Sequence, residues 1–431
     1  MPDPVRDFLR DLFSAAVAAA HPHNCLAPHL PAPPEEPGRL LVLAAGKAAG
    51  AMAEVAEHHY VDQLGISPKR VSGIAVTRHG YGRPTRCVRL VEAGHPIPDA
   101  AGLGATLDTL ALASSAGEND LVLVLISGGA SANWIAPAPG VSLAQKQELT
   151  RTLLGIGASI AEINTVRKHL SRIKGGRLAR LAWPARLATV GISDAPGDDP
   201  TVIGSGPSVP DPTTLADARK IVARYRVSVP EAVTRALDDP ANETPKPDDP
   251  IFAKTSFALA MRPAEVLRQA EQFVRRAGYD CLVLGSDIEG EARDVAAEHA
   301  ALARDLKAQG RRTVVLSGGE LTVTVNGSGR GGPNQEYVLA LAVALGGAER
   351  ITALAGDTDG TDGGSGKPDD PAGAIVDAGT LARARKLGLD AAAFLADNNS
   401  TEFFAKLGDL LRPGPTFTNV NDFRAIVVDS P

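Results

Sequence analysis

The chain is poor in aromatic residues: Phe, Tyr and Trp make up 4% of its 431 residues. Its cores must therefore be filled by Ala, Leu and Val. It also has few cysteines. Cys25, Cys87 and Cys281 are odd in number and far apart, fit no disulfide or metal spacing, and suit a reducing compartment. No apolar run reaches membrane-spanning length. The first residues do not read as a secretion signal, because Asp3, Arg6, Asp7, Arg10 and Asp11 interrupt them. The cytoplasm is the expected location. Positive charge is in deficit, with a formal net charge of -6. That argues against non-specific nucleic-acid binding and against docking on an anionic membrane.

Glycine (44) and proline (32) are abundant, so many loops must turn tightly. Hydrophobic content of 44% and charged content of 22% are ordinary for a globular protein. The length exceeds one ordinary core and predicts two or three domains. Residues 238–250, DDPANETPKPDDP, form the best linker: polar, proline-rich and without periodicity. They divide an expected first domain, 1–240, from a second, 251–431. Val5, Phe8, Leu9, Leu12, Phe13, Ala16 and Val17 recur at helical spacing and predict an amphipathic docking helix at the start.

Several apolar runs stop at glycine-bearing turns, the places where open α/β sheets bind ligands. Residues 39–45 read as a buried strand leading into Gly46-Lys47, and Lys47 is then well placed to meet phosphate oxygens. Residues 121–126, LVLVLI, form the clearest strand and lead into Ser127-Gly128-Gly129-Ala130-Ser131. A strand over 187–192 ends at Ser193-Asp194, a position suited to a catalytic carboxylate. Residues 160–170 predict a helix. Arg167, Lys168, His169, Arg172, Lys174 and Arg177 form a basic cluster around Gly175-Gly176, which favours anion binding over a merely solvated face. The run 314–316 stops at Ser317-Gly318-Gly319-Glu320, and the run 351–355 stops at GDTDGTDG. Asp357, Asp359 and Asp362 lie within six residues, which invites a divalent cation; the plainer reading is a set of Asp/Gly turns.

Taken in order, AAGKAAGAM, GHPIPD, SGGASA, NTVRKHLSRIKGGRLA, SDAPGDDPTVIGSGPSVPDPTT, LSGGELTVTV, GRGGPNQEY, AGDTDGTDG and TNVNDFR resemble the class II glycerate kinases, whose C-terminal part is the MOFRL domain. Two departures stand out: Ala130 replaces a frequent third glycine, and Pro333 stands where arginine is frequent, leaving Arg330 to compensate. The resemblance implies two α/β domains with mostly parallel sheets and an active site in the cleft between them. It also implies transfer of the γ-phosphate of ATP to the 2-hydroxyl of D-glycerate, with Mg²⁺ as the metal.

The expected roles follow from the chemistry of phosphoryl transfer, which needs positioning and charge neutralisation. Lys47 would hold phosphate oxygens, and Asp194 would accept the hydroxyl proton. Arg167 or Lys174 would meet the glycerate carboxylate. The nucleotide would lie against Ser127, Gly128, Gly129, Ser131, Ser317, Gly318, Gly319, Glu320, Arg330 and Asn334. Asp357 and Asp359 would hold the metal. A homodimer is left open.

One rival is an NAD(P)H-dependent hydroxypyruvate reductase. Residues 327–332, GSGRGG, fit GxGxxG between a strand and a helix. Against it, residues 321–325 alternate like a half-exposed antiparallel strand. A third reading, a non-catalytic nucleotide- or sugar-binding protein, would not need Lys47, Asp194 and the aspartate set together.

Overall fold

A computed structural model describes residues 3–364 and 367–429. The chain forms two compact units. One is continuous, Cys25–Ala260; the other is split, combining Met1–Asn24 with Met261–Pro431.

The continuous unit is built on six strands: β1 (Leu40–Ala45), β2 (Val71–Arg78), β3 (Val88–Ala93), β4 (Leu121–Ile126), β5 (Arg186–Ile192) and β6 (Thr255–Met261). They lie in the order β3-β2-β1-β4-β5-β6. The pairings of β1 with β2 and β4, of β2 with β3, and of β4 with β5 are all parallel. β1 and β4 sit at the centre and are fully buried along their length. That burial is why LLVLAA and LVLVLI are apolar at every position rather than alternating. The strand order reverses between β1 and β4, which opens a crevice beyond their carboxyl ends, where such sheets bind ligands.

The split unit has a sheet of order β11-β10-β9-β12-β8-β7. Its strands are β7 (Asp280–Glu291), β8 (Thr313–Thr322), β9 (Ile351–Asp357), β10 (Gly373–Val376), β11 (Leu410–Leu411) and β12 (Asp422–Val428). β7, β8, β9 and β11 run one way; β10 and β12 run against them. Strand direction is thus mostly shared, as expected, but only the β7–β8 ladder is parallel. The last strand, β12, inserts between β8 and β9 and pairs antiparallel with both.

Three sequence expectations are corrected here. The chain does not divide at residues 238–250, because that stretch leads into β6, the sixth strand of the first sheet. The division falls after Ala260. The predicted N-terminal helix is present as Pro4–Ala20, but it belongs to the split unit and not to a 1–240 domain. Arg6 pairs with Asp377 and with Asp409, and Phe13 packs edge-on against Phe423 at 6.1 Å. Finally, residues 317–320 are not a loop after a strand. They lie inside β8, where Ser317, Gly318 and Gly319 face Arg424, Phe423 and Asp422 of β12. Gly319 has φ +106°, and a Cβ there would stand 2.2 Å from the Ile288 carbonyl oxygen, so glycine permits an irregularity in the β7–β8 ladder.

His299 shows how the split unit's core handles a polar ring. It is 6% exposed, and its Nδ1 lies 2.7 Å from the Tyr337 hydroxyl. Burial and then the Arg424 charge push its pKa down to about 4. The unfolded chain takes up a proton near the ordinary value of about 6.5, while the folded chain does not until about pH 4. The His299 contribution is present above pH 6.5 and is lost as pH falls toward 4, by about 3 kcal/mol. In urea titrations at a series of pH values, His299→Gln should flatten that part of the wild-type profile; parallel profiles would refute it.

No helix among the described residues is long and apolar enough to cross a membrane.

Candidate active site

In the continuous unit the predicted turns after β1 and β4 meet at the β1/β4 crevice. The turn after β1 and the turn after β4 interlock through the backbone. Gly46 N–H donates to Val76 O at 3.1 Å, and Lys47 N–H donates to Gly128 O at 2.8 Å. The buried Ser127 hydroxyl accepts from Ala48 N–H at 3.0 Å. Gly46 sits at φ +118°, and a Cβ there would lie 2.4 Å from Ser127 Oγ. Gly129 is also left-handed, at φ +84°. A Cβ on Gly129 would meet His95 Cδ2 at 2.9 Å and Lys47 Cγ at 3.2 Å. The missing side chain is what lets His95 and Lys47 close over this turn. The sequence reading gave His95 no role; its placement between Gly94 and Pro96 carried no signal that it would reach Gly129.

Gly129→Ala is therefore expected to cost about 1–2 kcal/mol from the left-handed backbone alone, before any clash. Urea unfolding measures that loss, and a stability equal to wild type would contradict it.

Beyond this turn, Ser131 is a hub. Its hydroxyl lies 2.9 Å from Ser205 Oγ. Ser205 is buried and left-handed at φ 62°, a costly conformation for a non-glycine residue. Lys174 Nζ donates to Ser131 O (3.3 Å), Ser131 Oγ (3.2 Å) and Gly204 O (3.1 Å). Lys174 has no exposure, and burial, followed by the nearby Arg167, Lys146 and Lys168 charges, pushes its pKa well below the ordinary lysine value. A lysine head has three donors at most, and all three positions here face protein oxygens. Lys174 therefore pins the 131 and 204 loops together and does not present its head to a ligand, which corrects its expected role. Arg167 is half-buried and reaches Ser131 O at 3.5 Å. It is the better of the two cations for a small carboxylate, since a guanidinium carries five donors.

Asp194 follows β5, the neighbour of β4, and is half-buried beside the fully buried Ser193. Gly197 and Asp198 then turn the chain with φ 69° and 56°. Asp199 is committed locally: its carboxylate accepts Thr201 N–H at 2.8 Å and Thr201 Oγ–H at 2.9 Å.

In the split unit the aspartates part company. Asp357 ends β9, and its carboxylate accepts Asp359 N–H at 2.8 Å. Asp359, 1% exposed, accepts Thr361 N–H at 2.7 Å. Both therefore form the Asp/Gly turns that were the plainer reading, with one carboxylate oxygen of each engaged in this way. Asp362 points elsewhere, into the start of helix Pro333–Leu345. It accepts Asn334 N–H at 3.0 Å and Gln335 N–H at 2.8 Å. It satisfies helix donors that have no partner within the helix. Burial and then the Asp422 charge push its pKa up to about 7, against these N–H bonds. Among the described residues, no group of three or more His, Cys, Asp or Glu side chains is placed to hold a metal ion.

Asn334 is 1% exposed and bridges Asp362 (3.2 Å) and Asp422 (2.6 Å) through its amide nitrogen. Ser317 and Gly318 are held by Arg424, which donates to Ser317 Oγ at 3.2 Å and to Gly318 O. Asn334, Ser317 and Gly318 are thus parts of a buried network. Glu320 is exposed on β8 and Arg330 is exposed in the loop that follows. The network residues Asp422 and Arg424 stood in the family-like stretch TNVNDFR but were given no role, because nothing local in the sequence shows what they would face.

The GxGxxG loop does not fit a dinucleotide fold. Its N–H groups are taken by the chain itself: Gly327 by Asn398 Oδ1 (3.0 Å), Ser328 by Asp397 Oδ1 (2.9 Å) and Gly329 by Asp397 O (2.9 Å). β8 and β9, which flank the helix, are not neighbours, since β12 lies between them. A dinucleotide site needs adjacent parallel strands there.

Comparison with known proteins agrees. Residues 8–238 match a domain of unknown function, DUF4147, and residues 313–422 match the MOFRL family. The chain is 39% identical over 404 residues to the glycerate 2-kinase of Pyrococcus horikoshii, covering 91% of this chain and 88% of that one. It is 36% identical over 426 residues to the D-glycerate 2-kinase of Thermotoga maritima, covering 98% of each. An Agrobacterium vitis protein with a provisional hydroxypyruvate reductase name is 44% identical over 429 residues, covering 98% of this chain and 94% of that one. The crystal structure of the Thermotoga maritima glycerate kinase superposes with a TM-score of 0.86, covering 99% of this chain and 100% of that one, at 36% identity. With DUF4147 and MOFRL regions in this order and full-length relatives of this kind, the chain belongs to the family of the glycerate 2-kinases.

Proposed function

We propose that the protein transfers the γ-phosphoryl group of ATP to the 2-hydroxyl of D-glycerate, giving 2-phosphoglycerate and ADP. The observation that carries this reading is the β1/β4 crevice, where Lys47 is pinned by its backbone against the Gly128–Gly129 turn. Phosphoryl transfer asks for a cation beside backbone N–H groups and for little covalent chemistry, and this turn sets the Lys47 main chain where its side chain can supply one. Lys47 neutralises charge on the transferred group. Arg167 takes the glycerate carboxylate. Asp194 accepts the hydroxyl proton as the oxygen–phosphorus bond forms, and ADP leaves with the electron pair of the bond that breaks. Lys174 acts through Ser131, holding the loop in place.

Kinases hold Mg²⁺ by one or two carboxylates plus phosphate oxygens, so a three-carboxylate cage is not required. Asp357 and Asp359 fit that donor type, and we assign the ion to them. When bound, it would neutralise phosphate charge. Glu320, Arg330 and the Ser317–Gly319 segment have no comparable geometric support for a nucleotide role. A cytoplasmic location goes with this reading, since ATP is available there, and light scattering would show whether the enzyme works as a homodimer.

Phosphorus NMR after incubation with D-glycerate, ATP and Mg²⁺ tests the proposal. A 2-phosphoglycerate signal with stoichiometric ADP is expected. NADH oxidation with hydroxypyruvate, and no ADP, would overturn it.

A further inference from the structure

The basic cluster seen in the sequence splits in the fold. Arg167 and Lys174 turn to Ser131. Lys168 pairs with Asp211 at 3.3 Å, and His169 faces Glu243 at 3.1 Å. Arg177 comes with Arg172 and Arg180 to line a separate cavity of about 500 Å³. Its apolar wall is Leu107 and Leu110 from helix Ala100–Ser114 and Leu181 from helix Arg177–Ala182. None of the residues assigned to phosphoryl transfer lines it.

We propose that this cavity is a second anion site, taking the phosphate group of a small ligand whose apolar part rests on Leu107 and Leu110. Arg177 carries most of the argument. It is 8% exposed, and one guanidinium nitrogen donates to the Asn242 carbonyl. Its Nε has no hydrogen-bond partner among the described residues. A carbonyl does not neutralise a guanidinium, and a buried donor left unused is costly. Burial, with the Arg180 charge next, pushes the Arg177 pKa down to about 10, as expected of a cation short of a counter-charge; Glu243 and Asp211 oppose the shift. Among the described residues Arg180 meets only long partners, Glu243 O and Asp249 Oδ2, both at 3.5 Å. Arg172 is exposed. Asp239 is the single carboxylate in the lining, and it already accepts Ala241 N–H at 2.9 Å. Three guanidinium forks against one carboxylate select an oxyanion, and their planar geometry suits phosphate. The volume lies within the range of small-molecule sites, roughly 300–1,000 Å³.

The test uses the full chain and inorganic phosphate, followed by calorimetry. Arg172→Ala combined with Arg180→Ala changes two exposed side chains, so the fold is kept. The wild type should show one more class of phosphate site than this variant, or the variant should bind there about tenfold more weakly or worse. Its glycerate kinase activity should stay within about twofold of wild type, since no reacting group is touched. Equal phosphate binding by both proteins overturns the proposal. Acetate at matched ionic strength is the second arm: binding as tight as phosphate overturns the assignment to phosphate. The third readout needs no variant. Phosphate should slow phenylglyoxal modification of Arg172, read by mass spectrometry, and an unchanged rate counts against the site.

Discussion

Asp194→Asn is expected to lower kcat by about 10²–10⁴-fold, the usual contribution of a positioned general base, while leaving the KM for D-glycerate near its wild-type value. The amide keeps the size of the carboxylate but cannot take the hydroxyl proton. The position argues for this role. Asp194 is the second residue past the end of β5, it is half-exposed, and it stands beside the strand that ends in the Ser127–Gly129 turn. Asp199, five residues on, serves as the internal control. Its carboxylate is spent on Thr201, so Asp199→Asn should change turnover little. Steady-state kinetics on the two variants decide the matter. Near-normal turnover in Asp194→Asn, or an equal loss in both, would remove Asp194 from the mechanism.

The largest expected effect on stability is at Arg424. It is 1% exposed and holds three partners at once: Ser317 Oγ at 3.2 Å, Asp422 Oδ2 at 2.9 Å and the Gly318 carbonyl. Its guanidinium also lies 5.8 Å from the Tyr337 ring centre. Burial pushes the Asp422 pKa up, and Arg424 is the strongest influence holding it down. Arg424→Met keeps the length of the stem but strands a buried carboxylate. Breaking such a pair costs about 3–5 kcal/mol. Urea unfolding should show that loss in the transition of the split unit. The double variant with Asp422→Asn should recover part of it, because the stranded charge is gone. A single-variant loss below about 1 kcal/mol would mean that the network contributes little, as exposed ion pairs do.

These two predictions differ in how far the sequence anticipated them. Asp194 was legible, because a buried apolar run followed by Ser-Asp and a proline–glycine turn is a local pattern. Lys47 and the Ser127–Gly129 turn were legible for the same reason, whereas Arg167 stood out only as one member of a basic cluster on a predicted helix. Arg424 was not legible. Its importance comes from β12 entering between β8 and β9, pairings between residues far apart in the chain, Arg424 with Ser317 on one side and with Ala355 on the other. The same insertion explains why Gly318–Gly319 read as a loop. Glycine breaks a strand pattern locally, and only the neighbouring β7 and β12 ladders show that the strand continues through it. Lys174 was expected to meet a ligand, yet its head is consumed by Ser131 and Gly204, and no spacing rule reveals that.

The amino-acid order alone marked the first helix and the strands β1, β4 and β5, since apolar periodicity and turn residues act over a few positions. It also settled the location of the β1, β4 and β5 turns. The tertiary structure alone decided that the first helix joins the segment Met261–Pro431 and that β6 completes the first sheet. It also decided which charged residues are buried partners and which face a cavity. Those outcomes depend on contacts between distant segments, where burial and hydrogen-bond satisfaction override what each stretch would do by itself.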